Sequence, residues 1–180
     1  MYGIIALFDE ETEQQIIEVW NDLKDQNISS YASEVKDRKP HITIASYKNL
    51  NVEQYIKEMD RYLQEKVSLT ISFETIGSFI NSGALFYSPL VTKELMDFHM
   101  DYHEHFKKIQ EEEDSLYNPG RWIPHCTIAN RLTKEKLLEA MHHCSYNQTS
   151  IYGFIKEIAL IDTSTVGYAP ILYSKKLKII

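Results

Sequence analysis

Apolar positions along this chain alternate between short continuous runs and stripes at helical spacing. Tyr2 to Phe8 is a short apolar run and predicts a buried strand. Over residues 12–26, Ile16, Trp20 and Leu23 recur at helical spacing with Ile17 beside them, and Thr12 with Gln15 make a candidate capping box. The β-branched stretch His41-Ile42-Thr43-Ile44, led by Pro40, predicts a strand. Asn51 and Gln54 are placed to cap a second helix with Val52, Tyr55, Ile56, Met59 and Leu63 on its apolar face. Val67 to Phe79 alternates like a long strand, and Asn81-Ser82-Gly83 closes it as a turn.

The same order then recurs. Ala84 to Ser88 predicts a short strand. Over residues 91–110, Val91, Leu95, Phe98, Tyr102, Phe106 and Ile109 mark one helical face. The acidic run Glu111 to Asp114 and Asn118-Pro119-Gly120 predict a loop. Trp122 to Asn130 reads as a strand, about Thr133 to His143 as a helix, and residues 151–161 and 170–179 as closing strands. Pro40-His41-Ile42-Thr43-Ile44-Ala45-Ser46 and Pro124-His125-Cys126-Thr127-Ile128-Ala129-Asn130 agree at five of seven positions, 84 residues apart. This is an internal repeat, a strand-helix-strand-helix-strand unit used twice, over about 1–81 and 82–180.

Strand geometry gives the repeat its chemistry. Side chains alternate faces, so His41 and Thr43 point one way and Ile42 and Ile44 the other; His125 and Thr127 do the same against Cys126 and Ile128. Two such units about a pseudo-twofold axis would gather two imidazoles and two hydroxyls around one point. One neutral histidine can then take a proton from an attacking group while the other gives one to the leaving oxygen. An imidazole with its ordinary pKa near 6.5 suits both tasks near neutrality. The threonine hydroxyls can donate to phosphate oxygens as charge builds there.

The motifs His41-Ile42-Thr43-Ile44 and His125-Cys126-Thr127-Ile128 resemble the paired His-x-Thr-x hallmark of the 2H phosphoesterase superfamily, which includes 2′-5′ RNA ligase-like proteins and cyclic phosphodiesterases. The resemblance implies an α+β, bilobal fold with two antiparallel sheets flanking a central cleft and helices outside. It implies catalytic His41 and His125 acting without a metal or other cofactor, with Thr43 and Thr127 holding phosphate. Many relatives carry a basic residue shortly after the motif; here Arg131 follows His125, and only Lys48 follows His41.

Composition narrows the partner. The 180 residues are 43% apolar and 25% charged, which excludes disordered, collagen-like and coiled-coil readings. No run approaches the ~20 apolar residues of a membrane span, and no basic leader opens the chain. A net charge of −7 disfavours extended duplex nucleic acid and leaves room for a small pocket. The expected partner is therefore a ribonucleotide cyclic phosphate or a short RNA end, met by a monomer. Two cysteines, Cys126 and Cys144, make no disulfide framework, so a reducing, cytoplasmic setting is expected, with Cys126 a packed thiol. Further candidates are Tyr87 and Trp122 as nucleobase-stacking aromatics, with Phe86 and Tyr87 laid on Ala6 and Leu7, and Arg131 toward phosphate. His99, His103 and His105 read as a solvated helix face, and His142-His143 as neighbours of a helix C-terminus. The leading function is a metal-independent phosphodiesterase on a cyclic phosphate or 2′-5′ linkage. The alternative is a nucleotide-binding module without turnover.

Overall fold

The first apolar run becomes β1 (Tyr2–Phe8), and α1 (Glu10–Asp25) follows it at once in this computed structural model, which describes residues 1–107 and 115–179. Asp9 caps α1, its carboxylate accepting from the backbone N–H groups of Glu11 and Thr12. Thr12 is buried and gives its hydroxyl to Asp9 at 2.8 Å, so it supports the cap and is not the capping residue the sequence suggests. A short 3₁₀ turn, Tyr31–Glu34, leads into β2 (His41–Tyr47). Asn51 caps α2 (Val52–Leu63) through the Gln54 N–H, as expected. Then come β3 (Leu69–Gly77), β4 (Leu85–Pro89), α3 (Lys93–Phe106), β5 (Cys126–Ala129), α4 (Lys134–Asn147), β6 (Ile151–Asp162) and β7 (Ile171–Lys176). Ile109 and the acidic run Glu111–Asp114 lie outside the described residues. No described helix is long and apolar enough to cross a membrane.

The strands form one antiparallel ladder in the order β2-β1-β6-β3-β4-β5, with β7 also on β6. The two sheets expected on either side of a cleft are thus the two ends of one ladder, joined where β6 meets β3. The order is its own mirror image: β1 corresponds to β4, β2 to β5, and β3 to β6. Register makes the symmetry concrete. Ile71 pairs with Gly153, and the pairs Leu69–Ile155 and Phe73–Ile151 lie equally far on either side. One irregularity skips Ile44 between the pairs Ile4–Ala45 and Ile5–Thr43; its counterpart skips Ile128 between Leu85–Ala129 and Phe86–Thr127. A second matched pair skips Lys156 opposite Leu7 and Phe8, and Glu74 opposite Ser88 and Pro89. Each half of the ladder takes its third strand from the other half of the chain.

Gly153 stands where the ladder crosses this axis. A Cβ there would lie 1.8 Å from the Thr12 hydroxyl and 2.5 Å from the Asp9 carboxylate, so only glycine admits the α1 N-terminus so closely. Ile4, Ala6, Phe8, Ile42, Ile44, Phe73, Cys126 and Ile128 turn to the helices and form the main core with Ile16, Trp20 and Tyr102. That burial, at ~25 cal/mol per Å² of apolar surface, is what holds the helices against the ladder. Ile5, Leu7, Ala159 and Ile161 turn the other way and form a separate small cluster. The α3 histidines depart from the sequence expectation. His99 and His103 are buried, because the carbonyls of Tyr117 and Ile44 offer their Nε2 atoms partners at 2.8 and 3.1 Å. His105 meets Glu58, and His143 meets Asp22 on α1 at 2.7 Å.

Candidate functional site

β2 and β5 are the free edges of the ladder, and the ladder curls so that these edges meet. An edge strand leaves carbonyls unpaired, and they need donors. Trp122 supplies its indole N–H to the Thr43 carbonyl at 2.9 Å, and Trp20 supplies its own to the Thr127 carbonyl at 3.3 Å. His103 covers the Ile44 carbonyl beside them. Each motif threonine is therefore fixed at its backbone by a tryptophan, one from α1 and one from the segment before β5.

The two histidines are held in the same way. His41 Nδ1 lies 2.7 Å from the Lys39 carbonyl, and His125 Nδ1 lies 2.8 Å from the Ile123 carbonyl. A carbonyl can only accept, so each Nδ1 carries the proton and each Nε2 is left as the free ring nitrogen. In both motifs the accepting residue precedes a proline, Pro40 or Pro124, which keeps it extended. Burial lowers the His41 pKa below 6.5; the Lys39 carbonyl opposes that, and the charges of Arg38 and His125 reinforce it. Burial likewise lowers His125, against the Ile123 carbonyl. Cys126, on the opposite face of the strand, is wholly buried in the core, its thiol pushed up to about 12 by burial and beside the His41 main chain. It is a packed thiol.

Cross-strand partners share a face, so Leu7 and Ile5 stand beside His41 and Thr43, and Phe86 stands beside Thr127. Phe79 and Phe86 bracket the His125 ring, with centroids 4.9 and 5.3 Å away. On the His41 side a cavity of about 280 Å³ opens, lined by Ile5, Tyr31, Arg38, His41, Ile161 and Tyr168 among others. Between lining residues Val35 and Asp37, the Lys36 N–H donates to the Gly167 carbonyl at 3.0 Å, tying the segment before β2 to the one before β7.

The other sequence candidates are placed elsewhere. Tyr87 pairs with Cys126, faces the core against Phe73, and is 3% exposed. The aromatic on the Thr127 face is Phe86, one position earlier. Trp122 is 7% exposed, with its ring stacked on His99 at 3.8 Å and 2°. Its ring faces a neighbour inside the protein and its N–H a backbone carbonyl. Arg131 is exposed, has a positive φ of 57°, and pairs with Glu34. Residues that the sequence reading does not single out are Tyr31, Arg38 and Phe79. The Tyr31 side chain lies close to those of Thr127 and Arg38, with the Arg38 guanidinium over its ring. Among the described residues no three His, Cys, Asp or Glu side chains gather as a metal-binding group.

Solved structures share this fold. The chain superposes on TT0787 of Thermus thermophilus with a TM-score of 0.65 at 13% identity, covering 98% of this chain and 97% of that one. It superposes on apo E. coli LigT with a TM-score of 0.67 at 12% identity, covering 98% and 96%. It superposes on E. coli LigT complexed with 3′-AMP with a TM-score of 0.65 at 12% identity, covering 98% and 97%. No curated protein matches the chain at the sequence level. The profile of the 2′-5′ RNA ligase superfamily matches residues 8–167. With a match over most of its length and a LigT-like ladder beneath it, the chain belongs to the 2′-5′ RNA ligase superfamily.

Proposed function

We propose that this protein is a metal-independent phosphodiesterase that opens a cyclic phosphate, or cleaves a 2′-5′ linkage, on a ribonucleotide or RNA end. The observation that carries the reading is the matched pair of histidines, each locked at Nδ1 by a backbone carbonyl and each presenting Nε2. Membership of a phosphoesterase superfamily supports the general activity, and the nucleotide in the LigT complex supports the class of ligand.

In a 2′,3′-cyclic phosphate, water attacks phosphorus and one neutral Nε2 takes its proton. The P–O bond to the ribose breaks on the far side, and the other imidazolium gives its Nε2 proton to the departing oxygen. The product is a monoester, and the pair has exchanged protonation states. Thr43 and Thr127 donate to the non-bridging oxygens, their backbones held by Trp122 and Trp20 so that little reorganisation is needed. The organic part of the substrate fits the cavity beside His41, whose floor is apolar. A reducing compartment fits two buried free cysteines.

Hydrolysis of 2′,3′-cyclic nucleotides in excess chelator tests the reading. Turnover should persist, and His41→Ala or His125→Ala should each lower kcat by ~10²- to 10⁴-fold with folding intact. Turnover abolished by chelation, or a single variant at full activity, refutes the two-histidine scheme. Tight nucleotide binding with no product over long incubation replaces it with a binding module.

A further inference from the structure

The two motifs bring two histidines and two hydroxyls to a phosphate, but none of these is a permanent cation. On a chain of net charge −7, an anionic ligand needs at least one positive group that is not already neutralised. Cations around the cleft are mostly paired. Lys39 gives its ammonium to Glu13 at 2.8 Å, Arg131 is held by Glu34, and Lys156 by Glu10.

Arg38 differs from these. It lines the cavity that also holds His41, and among the described residues it makes no ion pair with a carboxylate. Its guanidinium carbon lies 3.8 Å above the centre of the Tyr31 ring, a cation–π contact that fixes the plane of the group. Its Nε is buried without a hydrogen-bond partner, an orphaned donor of the kind that normally finds an acceptor. Arg38 also bears on both motifs. Its charge disfavours protonation of His41, and the Tyr31 side chain beneath it lies close to that of Thr127.

We propose that Arg38 is the cation that holds the reacting phosphate, with Tyr31 as the positioning residue that aligns its guanidinium and couples it to Thr127. The inference rests on the proposed phosphodiesterase reading for the identity of the cleft. It assigns the cationic role to a residue three positions before the first histidine, in place of the Arg131 that follows the second. A planar guanidinium with free donors suits two phosphate oxygens at once.

Binding separates this proposal from the fate of the catalytic reading. Titration calorimetry would compare adenosine 3′-monophosphate, inorganic phosphate and adenosine on wild type, Arg38→Gln, Arg38→Lys, Tyr31→Phe and Arg131→Gln. Arg38→Gln should weaken the monophosphate by ~10- to 100-fold and leave adenosine within about twofold, because only a charge-assisted contact is lost. Arg38→Lys should recover part of the loss, Tyr31→Phe should fall between, and Arg131→Gln should match wild type. NMR titration of free protein should show His41 titrating at higher pH in Arg38→Gln, since a neighbouring cation has gone. Unchanged monophosphate binding in Arg38→Gln, an equal loss of adenosine, or the main loss in Arg131→Gln overturns the proposal. So does a wild type that binds neither phosphate ligand. A wild type that binds the monophosphate through Arg38 but turns over no cyclic nucleotide removes the catalytic reading and leaves this one standing.

Discussion

Replacing Trp122 by Phe separates two roles for a tryptophan beside a phosphate motif. The indole N–H donates to the Thr43 carbonyl at 2.9 Å, at a ladder edge that has no strand to pair it, and the ring is stacked on buried His99. Phenylalanine keeps most of the stack and removes the donor. Leaving a buried backbone acceptor unpaired costs ~1–3 kcal/mol. In a chain of this size ~1 kcal/mol corresponds to ~2–4 °C in Tm, so Trp122→Phe should melt ~2–12 °C below wild type. The same loss frees the backbone of Thr43, so kcat should fall by ~10-fold while KM changes little. Differential scanning calorimetry and steady-state kinetics on one cyclic nucleotide read both effects. A variant with wild-type Tm and kcat but a KM raised tenfold would show that Trp122 stacks on substrate, and the edge-carbonyl argument would be wrong.

Two further outcomes concern pH. Burial lowers both His41 and His125, so the kcat/KM profile should be a bell centred on the acid side of 6.5, because the base limb and the acid limb move down together. A maximum above pH 7.5 contradicts that environment. His99, lowered to about 4 by burial with His103 beside it, binds its proton more readily in the unfolded chain. Stability should therefore be full above 6.5 and decline as pH falls from 6.5 toward 4, by ~3 kcal/mol from this group. Urea midpoints should show that slope in wild type and a shallower one in His99→Gln; equal slopes would exclude His99 as its source.

Much of the fold is legible in the chain because the repeat and strand parity are both local properties. His41 with Thr43 and His125 with Thr127 share a face from alternation alone, and Cys126 turns away for the same reason. The placement of Tyr87 fails by one position for a specific cause. Laying Gly83 on Gly3 sets Tyr87 on Leu7, whereas the ladder sets Phe86 on Ile5, because both pair with a motif threonine next to a skipped isoleucine. Such skips leave no mark in the pattern of apolar residues. The proline before each histidine does carry a usable signal, since it places an extended carbonyl two residues back within reach of Nδ1. Arg38 carries none. What marks it is Tyr31 beneath its guanidinium and its place in the cavity beside His41, which are facts of tertiary structure. The histidines of α3 defeat the helix-face reading because the carbonyls that satisfy them, from Ile44 and Tyr117, come from distant parts of the chain.

The exchange of third strands also sets an order of events at the ribosome. β1 is made first, yet its inner neighbour, β6, ends only at Asp162. Until then the nascent antiparallel pair β1-β2 has an open inner edge, Ile4, Ala6 and Phe8 have no complete core to enter, and loop closure over about 150 residues has yet to occur. The first 81 residues should accordingly emerge as a segment awaiting its complement, prone to pair with any other free edge. Synthesis of β6 joins the β2-β1 pair to β3-β4-β5, whose strands are all made by Ala129, and the cleft comes into being in that step.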